Sequence, residues 1–297
     1  MKPRQDQPVA GILWMLATGL TFVAMTALVK TLGTRLPAPE VAFLRYALVL
    51  PLLIPGLALI RRASPSGQLL WLFTLRGGVH AMAVILWFYA MARLPIAEVT
   101  ALNYLTPVCV TLGAALFLGE RLAIRRLLAV GVALIGAVLI LRPGFRAVEP
   151  AHLAMLANAL FLGSSYLLAK RLTREASPEL VIVMLSFLVT VALFPFALVG
   201  WVWPNWGELG LLFLIAILAT LGHYFMTIAF RAAPVSVTQP VTFLQLVWSG
   251  LVGWMIFAEP VDPYVIAGGT VIVMAVSFIA WRESVLARRS SDPVPGV

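Results

Sequence analysis

The sequence predicts an all-α polytopic membrane protein of ten transmembrane helices, arranged as two inverted five-helix repeats. Three observations predict it. Of 297 residues, 62% are hydrophobic and 11% charged, against about 25% charged in a typical soluble domain. The apolar residues fall into ten closely spaced stretches, most of them near the ~20 residues that cross a bilayer. The second half of the chain repeats the first at an offset near 140. Ten helices of that length use about 200 residues, which leaves loops and tails and no separate soluble domain. The only cysteine, Cys109, has no partner in the chain, so a disulfide scaffold is excluded.

The ten stretches run roughly 10–32, 40–60, 69–91, 96–118, 124–141, 151–170, 180–201, 207–230, 235–257 and 264–281, each bounded by charge, Pro, Gly or a polar turn. Span one exceeds the length of a signal-peptide core and carries Lys30 near its end, so it reads as a retained helix. The short ends, 1–9 and 284–297, read as cytoplasmic tails without structure of their own. With the N-terminus inside, 14 of the 21 Lys and Arg residues fall on the cytoplasmic side, five outside, and Arg45 and Arg76 within spans. The positive-inside rule therefore predicts both termini in the cytoplasm. The +9 charge is then a matter of topology, and no basic block calls for nucleic acid.

The repeats are 10–142 and 150–283. Leucine matches between them carry little weight, but Lys30 with Lys170, Pro95 with Pro234 and Glu120 with Glu259 are specific. Five spans per repeat is odd, so the second copy crosses in the opposite sense. Inverted repeats of this kind build secondary transporters, with the substrate site near the midplane between the halves. Exchanging the conformations of the two halves would open a central cavity to one side and then the other.

Two stretches carry a resemblance. YAMARLPIAEVTALNYLTPVCVTLGAALFLGERL, residues 89–122, resembles the signature of the EamA family in the drug/metabolite transporter superfamily: Pro95 opens span four, Pro107 lies in its middle, and Gly119-Glu120-Arg121 closes it. FLRYALVLPLL, residues 43–53, resembles that family's second span, with Arg45 at its usual place. Pro234 and Ala258-Glu259-Pro260 form a weaker second copy. The resemblance implies ten helices in two inverted halves and export of small metabolites, commonly amino acids. Within the family the chain is most similar to the aromatic amino-acid exporters (the YddG-like branch). It also implies a peripheral role for spans five and ten, with a homodimer through them. The small residues Ala129, Ala133 and Ala137 form a seam on span five.

Polar residues inside a membrane are expensive and each needs a reason, ~2.5–3.5 kcal/mol for a charge at the helix centre. His80 lies eleven residues into span three, about 16 Å deep at 1.5 Å per residue. It reads either as a neutral imidazole bonded to a neighbouring helix or as a cavity residue that contacts substrate or changes protonation. Arg76, one turn earlier, is shallow enough to snorkel to the cytoplasmic surface. In span four, Pro107 leaves the carbonyl of Asn103 without its helical donor. A kink at mid-depth results, with Asn103 and Tyr104 beside it, and a substrate ammonium or a neighbouring hydroxyl would satisfy the carbonyl.

Span nine has Gln239-Pro240 near its cytoplasmic start, then Gln245 and Trp248 deeper in. His223 and Tyr224 in span eight, Asn158 in span six and Trp14 in span one complete the candidate lining. Ser164-Ser165-Tyr166 is a mixed case, because serine in a membrane helix often only packs closely or bonds its own backbone. The tryptophans near span ends, Trp71 and Trp203 among them, suit an interfacial belt. Arg45 and Glu98 are expected to pair near the outer side, as a structural or gating contact, and Pro107 and Pro240 to be the hinges.

No Walker A loop, GxSxG, HExxH or Cys/His cluster occurs, so no ATPase, hydrolase or metal site is expected and no cofactor is implied. The sequence thus predicts a multi-pass plasma (inner) membrane transporter, not an enzyme. It would export small metabolites, amino acids first among them, by alternating access, with the small-molecule substrate, protons and the bilayer lipid as its partners. A carrier of nucleotides, sugars or drugs in the same superfamily is the alternative within the class. A non-transporting scaffold or receptor is the alternative outside it.

Overall fold

The computed structural model describes residues 8–53, 65–118, 124–145, 147–172, 175–232, 241 and 244–291. Apart from one short 3-10 turn, the elements among them are α-helices. Span one is Pro8–Leu32, span two begins as Ala38–Ala47, and span three is Gly67–Met91. Span four is two helices, Ile96–Asn103 and Thr106–Leu118, and span five is Ile124–Leu141. Spans six to eight are Pro150–Leu172, Pro178–Leu198 and Trp206–Ala232. Span nine holds Leu244–Phe257, and span ten is Pro263–Ser291. Six of the helices are long and apolar enough to cross a membrane. Large apolar side chains such as Leu128, Ile135, Trp254 and Met274 stand fully outward, as a lipid-facing surface requires.

The kink expected at Pro107 is a full break. Span four stops at Asn103, turns through Tyr104 and Leu105, and restarts at Thr106. Proline cannot donate to the carbonyl four residues back and its ring crowds that turn. Two expectations need correction. Span two is not one helix over 40–60: it ends at Ala47 and continues as a 3-10 turn over Leu50–Leu53. Pro51 is the physical cause, since it removes the donor to Ala47 and disfavours helix at Leu50. Span ten runs on to Ser291, so the first residues of the expected unstructured tail are helical. Gln239 and Pro240, the second candidate hinge, lie outside the described residues.

The closest helix pairs join the two halves. Span one packs along span eight, span three along span six, and span five along span ten. Gly136 and Gly268 sit at the crossing of spans five and ten; a Cβ on Gly136 would meet the Gly268 carbonyl oxygen at 2.6 Å. Ala129, Ala133 and Ala137 are buried within the chain, so the small-residue seam of span five is used internally. At the crossing of spans one and eight, the Phe22 ring covers Gly222, where a Cβ would lie 2.6 Å from that ring. The neighbouring His223 meets the same ring edge-on, with centroids 5.2 Å apart.

Candidate functional site

Even-numbered crossings return the chain to the face that carries both termini. The loops after odd-numbered spans gather at the opposite end, called here the far face. Polar side chains inside the bundle form two groups, one at mid-depth and one at the far face.

The mid-depth group begins at His80, on the thirteenth residue after the start of its helix. Its Nε2 lies 3.1 Å from the Tyr46 hydroxyl and its Nδ1 3.1 Å from the Ser165 hydroxyl. One imidazole thus ties spans two, three and six together, each nitrogen meeting a group able to donate or accept. Asn158, two turns before Ser165 on the same helix face, donates from Nδ2 to Asn103 Oδ1 at 3.1 Å. Asn103 closes the first half of broken span four. The side-chain amide that meets span six thus sits at the break in span four.

Arg45 and Arg76 flank this group. The Arg45 guanidinium lies 4.5 Å from the centre of the Tyr46 ring. The hydroxyl of that tyrosine is the one that meets His80. Arg76 is only 7% exposed. Its Nη1 donates to the Val181 carbonyl at 3.2 Å, while its Nε is buried without a hydrogen-bond partner. Arg76 does not snorkel as expected: span seven closes over it, and its guanidinium ends inside protein. Neither arginine meets a carboxylate among the described residues. Tyr166 and His223 are exposed, Tyr166 at 48%.

Aromatic groups line the route from spans one and eight. Trp14 packs on Phe225 with centroids 5.3 Å apart, and Tyr224 is largely exposed. Trp248 has its indole nitrogen buried with no hydrogen-bond partner. Among the described residues, no hydrogen bond ties Trp14, Tyr224, Gln245 or Trp248 to the His80 or Asn158 groups. Sequence reasoning did not single out Tyr46; its position next to Arg45 in the family-like stretch was the available signal.

At the far face three cations pair with carboxylates, and these pairs join the two halves. Lys30, closing span one, forms an ion pair with Glu259 and donates to the Leu94 carbonyl at 2.6 Å. The other Glu259 oxygen accepts from the Ile96 backbone N–H at 2.9 Å, capping span four at a position where Pro95 offers no side-chain acceptor. Glu259 follows Ala258, which sits at φ +51, a left-handed conformation disfavoured for any residue with a Cβ. Arg142 pairs with Asp262. Arg35 pairs with Glu208, whose carboxylate raises the arginine above its ordinary pKa by hydrogen bonding. Buried Glu40 accepts from the Val202 N–H at 2.9 Å.

Glu98 corrects the expected ion pair with Arg45. Its Oε1 lies 2.7 Å from His152 Nε2, and both side chains are 3% exposed or less. Spans two and four are not close neighbours, whereas span four packs against span six, and this decides Glu98's partner. The backbone N–H of Glu149 donates to His152 Nδ1 at 3.0 Å. That nitrogen must carry a lone pair, so His152 holds its proton on Nε2 and donates to Glu98. His152 escaped the sequence reading because the repeat gives it no counterpart. It was findable as one of only three histidines. A cavity of about 460 Å³ opens beside Glu98 and Glu259, walled by Leu246, Gly250, Trp254 and Val265. It lies between spans four, nine and ten, away from the mid-depth group. Among the described residues no cluster of His, Cys, Asp or Glu is arranged to hold a metal.

Hydrogen bonds thus join the two halves at mid-depth, and ion pairs join them at the far face. Comparisons with known proteins agree with a carrier. The chain is 32% identical over 291 residues to a riboflavin transporter of Rhizobium johnstonii, covering 97% of this chain and 95% of that one. It is 33% identical over 276 residues to the pseudopaline exporter CntI of Pseudomonas aeruginosa, covering 90% and 94%. It is 25% identical over 273 residues to an S-adenosylmethionine uptake transporter of Rickettsia prowazekii, covering 92% and 93%. These relatives carry different small molecules, so their common property is small-metabolite transport. Such transporters with many apolar helices are multi-pass proteins of the membrane, in bacterial cells the plasma membrane. The EamA-like transporter family model matches residues 9–142 and again 149–281, and the chain belongs to that family.

Proposed function

We propose that this transporter moves a small metabolite bearing a flat ring and polar groups by alternating access of its two halves. The mid-depth space beside His80, Asn103 and Asn158 is the binding chamber. The observation that carries this reading is the bridging of the halves at mid-depth. His80 and Asn103 of the first half bond Ser165 and Asn158 of the second, so relative motion of the halves must break or remake these contacts. Any substrate seated there would feel the motion. Export of amino acids, aromatic ones first, is the substrate reading that the polar group of His80, Asn103 and Asn158 and the Tyr104 ring next to Asn103 support. Riboflavin is a second reading, favoured by the relative that matches nearly the full chain.

Counterflow in sealed liposomes tests both. Purified protein is reconstituted with unlabelled phenylalanine, tryptophan or riboflavin inside, and uptake of the labelled compound is followed. Accumulation above protein-free liposomes for an aromatic amino acid supports the first reading, and accumulation for riboflavin alone supports the second. No accumulation of any of the three by folded protein would overturn the proposal. Repeating the assay with an imposed pH gradient asks whether protons are coupled.

A further inference from the structure

The charges of this chain are distributed in a way that transport alone does not require. Every described carboxylate side chain lies at the far face or, for Glu175, in the exposed loop after span six. Beside the mid-depth group stand two permanent cations, Arg45 and Arg76, and no described carboxylate. Arginine stays charged under all ordinary conditions, and a buried charge without a partner is costly. Arg76 shows this cost directly, with its Nε buried and unsatisfied and a single backbone carbonyl as acceptor. Arg45 is half-buried and has no hydrogen-bond or ion-pair partner among the described residues; the Tyr46 ring is its one recorded contact. Its guanidinium lies over the Tyr46 ring, whose hydroxyl meets His80, which sets it beside the mid-depth group. Of the Tyr46 and Ser165 hydroxyls on His80, the one that accepts from the ring N–H keeps its own proton and can donate it to an anion.

We propose that the chamber binds the anionic group of its substrate, a carboxylate, with Arg45 making the contact and buried Arg76 sustaining the positive potential beneath it. This rests on the chamber being the substrate site. An ionised acid supplies the missing counter-charge in the loaded state, and guanidinium geometry suits a carboxylate through two parallel N–H donors. A neutral or purely cationic compound would leave both arginines unmatched. The substrate class is therefore an aromatic acid or zwitterion rather than an amine.

The test compares acids with amides of the same shape, using thermal stabilisation of the purified full chain in detergent. Phenylalanine and 3-phenylpropionate are expected to raise the melting temperature at concentrations at least tenfold below those needed for phenylalaninamide and 3-phenylpropionamide. In Arg45→Gln the acid and amide curves should converge, Arg45→Lys should retain part of the difference, and Arg76→Gln should weaken acid binding several-fold. Equal responses of the wild-type protein to acid and amide, no response to either acid at 10 mM-scale concentrations (on the order of the weak limit of specific binding), or an acid preference that survives in Arg45→Gln would each overturn the proposal. The wild-type comparison needs no variant and stands even if a variant fails to fold. Acid preference without counterflow would sink the carrier reading and leave the anion site. Counterflow of a neutral substrate without acid preference would do the reverse.

Discussion

At the far face Lys30, Arg35 and Arg142 each meet a carboxylate from the other half of the chain. At mid-depth Arg45 and Arg76 meet none among the described residues. Both sets are arginine and lysine in an apolar protein, so residue type does not explain the difference. Position does. The far-face loops are where one half ends and the other begins, so opposite charges there can fasten the two halves. At mid-depth an internal partner would fill the space and neutralise the field that a substrate could use. Paired charges act as latches, and unpaired charges are available to something that comes and goes.

The largest expected effect comes from breaking a latch that does two things. Glu259→Ala strands Lys30 and uncaps the Ile96 N–H. Removing one member of a buried pair costs about 3–5 kcal/mol, and the melting temperature should fall sharply. Lys30→Met with Glu259→Met should recover much of the loss. A single variant as stable as the parent would show that the far face is not held by this pair. Next comes the His152 contact. His152→Phe removes the buried hydrogen bond to Glu98, at about 1–2 kcal/mol, again read as a lowered melting temperature.

A gain should follow from relieving the turn that presents Glu259. Ala258→Gly removes the Cβ from a left-handed residue and should stabilise by about 1 kcal/mol; a loss would mean that the Ala258 methyl group packs usefully. The interior arginine gives the sharpest contrast. Arg76→Met removes an unpaired buried charge, so stability should hold or rise slightly while acid binding falls. A large loss of stability would place Arg76 among the structural charges. Arg35→Ala should change the melting temperature least, because the side chain is 49% exposed and surface pairs contribute little.

Much of this was legible before any coordinates. Pro107 announced the break in span four, because no packing can restore a donor that proline lacks. His80, Asn103 and Asn158 were flagged because strongly polar groups deep in a membrane need partners. Their partners were not legible. Glu98 was expected on Arg45 and is on His152, since which spans touch is decided by helix packing and not by depth along each span. Arg76 was expected at the surface and is covered by span seven for the same reason.

The sequence by itself determined the membrane class, the all-helical architecture, the duplication and the family, because these rest on composition, length and repeat, which are one-dimensional. Only the tertiary structure decided which charge meets which. The close pairings of spans one with eight, three with six and five with ten bring together residues far apart in the chain. They set Lys30 against Glu259 and leave Arg45 and Arg76 facing the interior. Coulomb attraction and hydrogen bonding act over a few ångströms, and such distances between residues of different halves exist only once the halves have packed.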